Sequence, residues 1–305
     1  MNGQPLLEIQ DLYVHFQVYG GTLRVLDGVN FLVQSGQKVG LVGETGCGKT
    51  TTMKAILRIL PMPPARIPGG EIYFKGEDVL KMGQNALRKV RSEGISMIFQ
   101  DPTAALNPVF TIGQQLGAVI KYSLEGKTLS KKEIREQAMI PLREVALPDP
   151  ERMLDSYPIQ LSGGMRQRVC IAMALAASRE LLIADEPGTS LDVTIEDQIL
   201  RLLHRLVEEK NVSVILITHT LGVVRQLTDR VYTHGLMAAV PRLTGGGGSD
   251  GIPGRIPEYI HPPPGCRFHP RCPHAMDICR QEKPAFYKRG DDHEVACFLY
   301  REGET

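Results

Sequence analysis

Gly43-Glu44-Thr45-Gly46-Cys47-Gly48-Lys49-Thr50 is the stretch on which the fold turns. It matches G-x-x-x-x-G-K-[ST] at every fixed position. It also joins a short apolar strand at 38–42 to a helix that starts at Lys49 and ends before Pro61. Glycines let the chain curl until several backbone N–H groups face one point, and the helix start adds positive potential there. That arrangement suits the phosphates of a nucleotide such as ATP. Lys49 is placed to reach the β- and γ-phosphates, and the Thr50 hydroxyl to ligate Mg2+. Thr51 joins the expected nucleotide contacts. The bland alternative is a glycine-rich turn without a ligand, and the complete motif between a strand and a helix argues against it.

Outward from this loop, strands and helices alternate. Residues 5–18 and 23–34 have strand character around a Gly20-Gly21 turn, and 71–75 and 95–99 are further short strands. Residues 111–147 have helical periodicity, with Thr111 and Ser130 as capping candidates. The runs 181–184 and 212–218 are continuously apolar, as strands covered on both faces of a parallel sheet are. A long amphipathic helix lies between them, with Thr194 and Asp197 as its expected capping box. This alternation predicts an α/β domain with parallel strands, and the stretch from about 105 to 165 reads as an inserted helical subdomain.

Leu181-Leu182-Ile183-Ala184-Asp185-Glu186 ends a buried strand in two carboxylates. A lone run of this kind is usually just a strand end. Beside the phosphate loop, Asp185 becomes the candidate for holding Mg2+ through its water shell, and Glu186 for polarising the attacking water. Gln100 and His219 also close apolar strands. Taken alone, such residues are more often surface or structural groups.

Composition bounds the partners. The 305 residues are 42% apolar and 23% charged, with net charge +1, which gives no reason to expect nucleic acid. No apolar run approaches the roughly 18 residues of a membrane span. Met1-Asn2-Gly3-Gln4 lacks the basic-then-apolar pattern of a secretion signal. The expectation is a chain kept in the cytosol that docks onto any membrane partner it serves.

Leu161-Ser162-Gly163-Gly164-Met165 separates this chain from other phosphate-loop proteins. A Ser-Gly-Gly run opening a helix is itself an anion site, with free N–H groups and a hydroxyl. With this motif in place, the chain resembles ABC transporter ATPases over residues 5–231, carrying the family's signature loop with Met in place of Gln at its last position. The resemblance implies a P-loop NTPase (RecA-like) core with an inserted helical subdomain and N-terminal antiparallel β elements. It assigns Gln100 to the Q-loop, Ser190-Leu191-Asp192 to the D-loop and His219 to the H-loop. It expects an adenine-stacking aromatic on the first hairpin, where Phe16 fits best and Tyr19 is the runner-up. It further implies that Ser162, Gly163 and Gly164 bind the γ-phosphate of ATP held by a second ABC ATPase subunit, which is expected to be a different chain. Two integral membrane permease subunits, and indirectly an extracytoplasmic peptide-binding protein, complete the expected assembly, with this chain peripheral on the cytoplasmic side of the membrane. A soluble ABC ATPase of repair or translation would show long coiled-coil inserts or two ATPase units in one chain. An ordinary P-loop kinase would lack residues 161–165.

The last forty residues hold Cys266, Cys272, Cys279 and Cys297, whereas Cys47 and Cys170 stand alone. In a reducing cytosol such clustering argues for metal over disulfides. The wide spacings suit a [4Fe–4S] cluster better than Zn2+, which usually has close Cys pairs and stays as the alternative. His261, His269, His274 and His293 are spare ligands. A Pro/Gly-rich arm from 241 to 264 leads into this region, so residues 232–305 are expected to form an arm and a small cysteine-rich domain after an ATPase domain at 1–231. With Arg267-Phe268-His269-Pro270-Arg271 and the segment 235–243, this region resembles the C-terminal extension of oligopeptide and dipeptide importer ATPases. Nickel and other small solutes are the less favoured cargo. One departure from the family stands out: residues 229–235 run straight into that segment, where relatives place two strands and a loop. Thr220, where relatives carry Asp, is a smaller one.

Overall fold

The computed structural model describes residues 4–44, 46–123, 129–177, 179–189, 191–219, 224, 228–233, 260–288 and 294–301. Thr45, Ser190, Thr220, His293, the segment 235–243 and nearly all of the Pro/Gly-rich arm lie outside them.

Strands β1 (Leu7–Val18) and β2 (Gly21–Val33) pair in a sheet with β4 (Ala65–Phe74) and β5 (Glu77–Asp78), in the order β2–β1–β4–β5. A second sheet contains β3 (Lys38–Val42), β6 (Ile95–Ile98), β7 (Leu181–Asp185), β8 (Ser213–Thr218) and β9 (Arg230–Thr233). Its order is β6–β7–β8–β3–β9, and every pairing is parallel. Every residue of β7 and β8 is buried, which is why both read as unbroken apolar runs.

The helices are α1 (Lys49–Ile56), α2 (Gln84–Lys89), α3 (Pro102–Ala105), α4 (Ile112–Ser123), α5 (Lys131–Glu144), α6 (Pro150–Asp155), α7 (Gly163–Leu175) and α8 (Val193–Lys210). One apolar core runs from Leu116, Leu142 and Leu154 of the helical insert through Ile171 to Leu182 and Leu216 of the sheet. The insert is thereby anchored to the strands that end at the site.

Several expectations change in detail. The helical stretch 111–147 divides. Ser130 starts α5 with a reciprocal capping box: its hydroxyl accepts from Glu133 N–H, and the Glu133 carboxylate accepts from Ser130 N–H. Thr111 and Gln114 make the same exchange before α4. The cap of α8 is Asp192, whose carboxylate accepts from Ile195 N–H at 3.0 Å. Thr194 and Asp197 do not form the expected box, since Asp197 is turned to Arg201 one helical turn on, 2.8 Å away. The strand expected at 71–75 is the second half of a longer β4. Its first half was hidden by Pro68-Gly69-Gly70, which look like a break. Gly70 has φ 94°, and a Cβ there would lie 2.5 Å from the Asp11 carbonyl, so glycine is what lets β4 approach β1.

The chain forms two compact units. One contains residues up to 12, 28–60 and 69–234; the other contains 13–27, 61–68 and the C-terminal residues from 235. In the second, β10 (Phe286–Lys288) pairs antiparallel with β11 (Glu294–Ala296). Among the described residues no helix is long and apolar enough to cross a membrane.

Candidate active site

The register of the five-stranded sheet builds the site. Ile98 stands level with Ala184, Asp185 with Ile217, and Val42 with Thr218. Residues just past these positions therefore leave the sheet along one edge: Gln100, Glu186, His219 and the loop from Gly43. The carboxyl edge of parallel strands is where open α/β sheets bind ligands.

Gly46 and Gly48 have φ 89° and 97°, the left-handed region open to glycine, and Gly48 caps α1 with no side chain in the way. A Cβ on Gly43 would come within 2.9 Å of the Cys47 sulfur. Lys49 is only 8% exposed, and its ammonium donates to the carbonyls of Gly43 at 2.7 Å and Glu44 at 2.8 Å. The lysine thus spans its own loop. Cys47 is exposed, 3.7 Å from that ammonium, and Thr51 is half-buried on α1.

The Thr50 hydroxyl donates to Asp185 at 2.8 Å. Asp185 is 2% exposed, and burial, helped by the neighbouring Glu186 charge, holds its carboxyl above the usual range against the Thr50 hydrogen bond, Lys49 and Lys54. A hydroxyl and a buried carboxylate side by side are hard oxygen donors. Mg2+ is typically held by one or two such groups together with substrate phosphates, so this pair fits it.

Glu186 is where three motifs meet. Its carboxylate accepts from Gln100 Nε2 at 2.9 Å and lies 3.4 Å from His219 Nδ1. Its own N–H donates to the Ile217 carbonyl, 2.9 Å away. Each of these residues closes a strand in the sequence, but their convergence on one carboxylate depends on the parallel register.

The signature residues stand at the head of α7. The Ser162 hydroxyl accepts from Met165 N–H at 3.3 Å. A Cβ on Gly163 would sit 3.2 Å from Leu191 Cδ2, and one on Gly164 3.0 Å from Ile195 Cγ2. The glycines are therefore where α7 meets the segment capped by Asp192, a contact that sequence reading missed. Phe16 is half-buried on β1 and Tyr19 fully exposed at the hairpin turn, both in the second unit.

Among the described residues no group of three or more His, Cys, Asp or Glu side chains could hold a metal ion. Cys266, Cys272, Cys279 and Cys297 are all free thiols. Cys266 N–H donates to the Cys279 carbonyl at 2.9 Å, which is a backbone crossing, and His269 Nδ1 is taken by the Cys266 carbonyl, 2.9 Å away. Cys170 is core, its thiol pushed up to about 12 by burial and by the Asp101 charge.

Comparison with known proteins agrees with this geometry. Residues 26–189 match the ABC transporter family, and residues 228–279 match the oligopeptide/dipeptide transporter C-terminal region. The chain is 43% identical to the dipeptide transport ATP-binding protein DppD of Bacillus subtilis, covering 97% of this chain and 95% of that one. That alignment spans 321 positions, more than the 305 residues here, so the relative has residues this chain lacks. Identity to the oligopeptide transport ATP-binding protein OppD of the same organism is 40%, over 96% of this chain and 88% of the other. Among solved structures, the ATP-binding cassette MJ0796, a dimer in a post-hydrolysis state bound to ADP and Pi, superposes with a TM-score of 0.66 at 27% identity, covering 74% of this chain and 93% of that one. A phosphate loop, a Thr50 hydroxyl bonded to the buried Asp185 and a carboxylate met by Gln100 and His219, with relatives this similar along almost the whole chain, lead to one assignment: the chain belongs to the ABC transporter family, as an ATP-binding subunit of the oligopeptide and dipeptide transporter branch.

Proposed function

We propose that this chain hydrolyses ATP to power the import of di- or oligopeptides, working from the cytoplasmic side of the membrane. It would pair with a second, different ATPase subunit, and the pair would drive two integral permease subunits served by an extracytoplasmic peptide-binding protein. The observation that carries the reading is the Glu186 cluster beside the Thr50–Asp185 pair, in a chain about 40% identical to named peptide transport ATP-binding proteins.

Each residue then has a task. Phe16 stacks on adenine. The backbone of the loop from Gly43 to Gly48, with Glu44, Thr45 and Cys47, wraps the phosphates. The Lys49 ammonium exchanges its two carbonyl partners for phosphate oxygens. Thr50 and Asp185, with Gln100 nearby, would hold Mg2+, which would supply charge neutralisation for the phosphates. Glu186 takes a proton from the attacking water while Gln100 fixes one side of its carboxylate, and His219 turns to the γ-phosphate. Ser162, Gly163, Gly164 and Asp192 serve the nucleotide of the opposite subunit. ATP therefore joins the two subunits, and its hydrolysis adds charge repulsion and breaks the bridge, so the pair reopens.

The test is uptake of a labelled dipeptide by cells lacking this chain. Wild-type protein restores uptake and the Glu186→Gln variant does not. Normal peptide uptake in the deleted cells, with loss of nickel uptake instead, overturns the peptide assignment.

For Cys266, Cys272, Cys279 and Cys297 we propose a [4Fe–4S] cluster, with Zn2+ as the alternative. Its support is that four cysteines fall within residues 266–297 and that a backbone hydrogen bond joins Cys266 to Cys279. Iron and acid-labile sulfide assayed in anaerobically purified protein test it, and protein carrying neither iron nor zinc removes it.

A further inference from the structure

The C-terminal segment has a second attachment that nucleotide chemistry does not explain. Asp27, on β2, is the anchor. Its carboxylate pairs with Lys283 and lies 3.3 Å from the Arg267 guanidinium, with only 19% of its side chain exposed. Arg267 also donates to the Arg24 carbonyl at 2.9 Å, so it grips both a side chain and the backbone of the same strand. A single exposed ion pair contributes little. Two cations on one largely buried carboxylate, plus a hydrogen bond to the adjoining backbone, make a more specific clamp.

The spacing of the two cations is itself fixed. Gly265 has φ 69°, and a Cβ there would lie 2.5 Å from the Cys279 carbonyl and 2.9 Å from Gln281 N. With Cys266 N–H bound to the Cys279 carbonyl, the chain just before Arg267 crosses tightly over residues 279–281, just before Lys283. The Gln281 and Glu282 N–H groups both donate to the Ile278 carbonyl, which stiffens the lead into Lys283. The clamp closes on the hairpin that carries Phe16. Burial first, and then the charges of Arg24, Asp27 and Arg267, act on His15, so the cluster reaches the residue next to Phe16.

We propose that Arg267 and Lys283 are positioning residues for ATP binding: by clamping Asp27 they fix the hairpin and hold Phe16 ready for the adenine ring. This rests on the reading of Phe16 as the adenine-stacking aromatic. The C-terminal segment then sets nucleotide affinity without touching nucleotide.

The experiment uses the full chain and compares Asp27→Asn, Lys283→Gln, the double variant and Phe16→Ala. Binding of ATP and of inorganic tripolyphosphate, which has no base to stack, is measured alongside ATPase kinetics. The clamp variants should weaken ATP binding and raise KM by about five- to tenfold, within the range lost when base stacking is removed. Saturated turnover and tripolyphosphate binding should stay near wild type. The double variant should be no worse than the worse single, because both changes break one contact, and Asp27→Glu should recover part of the loss. Equal loss of ATP and tripolyphosphate binding in the clamp variants overturns the proposal as general destabilisation. Wild-type ATP binding in them, with Phe16→Ala weakened, overturns the clamp and leaves the Phe16 reading standing. Wild-type ATP binding by Phe16→Ala removes that reading and the proposal with it.

Discussion

Glu186 has a left-handed backbone with φ 46°, a conformation that a non-glycine residue adopts at some energetic cost and that is common where a side chain must be aimed. Its aim is fixed at both oxygens, by Gln100 and His219. Glu186→Gln keeps the size of the side chain but removes the base. Mg-ATP binding should survive, and turnover should fall by about 100-fold or more, the scale of a general base. Equal turnover in the variant removes Glu186 from catalysis. Asp185 gives a prediction of opposite sign. Its carboxyl is held above the usual range chiefly by burial, so the fold binds its proton more tightly than the unfolded chain does. The stability gained is full below the ordinary Asp pKa and is lost as pH rises through the raised one. At neutral pH the ionised group is a burden on the nucleotide-free protein. Asp185→Asn should therefore melt higher than wild type near pH 7, with the gap closing as pH falls toward about 4, and should lose the stabilisation that Mg-ATP gives wild type. A thermal shift series across pH checks this, and a variant less stable at every pH contradicts it. The positions of these residues were legible in the sequence because strand ends and a glycine loop mark them. The hydrogen bonds joining Gln100 and His219 to Glu186 were not, since three residues far apart in the chain meet only through strand register.

At the scale of elements, the head of α7 and the cap of α8 act as one joint. Gly164 has room for a hydrogen but hardly for a methyl, with Ile195 Cγ2 at 3.0 Å from where a Cβ would stand. Gly164→Ala should push α7 and α8 apart by a few tenths of an ångström at the surface proposed to meet the other subunit. Equilibrium binding should show that the variant still takes up ATP, through its own phosphate loop, while ATPase activity in the assembled pair drops steeply. Loss of ATP binding as well would place the glycine in the chain's own site. Ser162→Ala removes the cap of α7 and should lower stability by about 1 kcal/mol in addition to its effect on turnover. Buried strands and Ser-capped helices were readable because their periodicity and caps are local. The first half of β4 was not, because Pro68-Gly69-Gly70 reads as a break until β1 lies against it, nor was α2, a short helix with just one buried residue, Leu87. Asp192 outcompetes the Thr194–Asp197 pair as cap because the helix starts two residues earlier than that pair requires.

At the scale of the whole molecule, the proposed function makes the site one half of a shared one. The chain places a phosphate loop, an Mg2+-compatible pair and a general-base candidate on one sheet edge, while Ser162 and its glycines head a separate helix. In the proposed arrangement a nucleotide held only by this half would keep part of its γ-phosphate open to water, and a signature loop from a second subunit would supply further N–H groups. Affinity between subunits should then depend on the γ-phosphate. With Glu186→Gln in both ATPase subunits to stop hydrolysis, Mg-ATP should drive this chain and its natural mate into a pair that sediments as one species. Mg-ADP should leave them apart, because it lacks the group both halves grip. Lys49→Ala in this chain should weaken pairing at one of the two sites, and Gly164→Ala at the other, so either change alone lowers the pair's stability and both together abolish it. Pairing that is equally strong with ADP, or without nucleotide, would show that another surface holds the subunits together and that ATP is not the link.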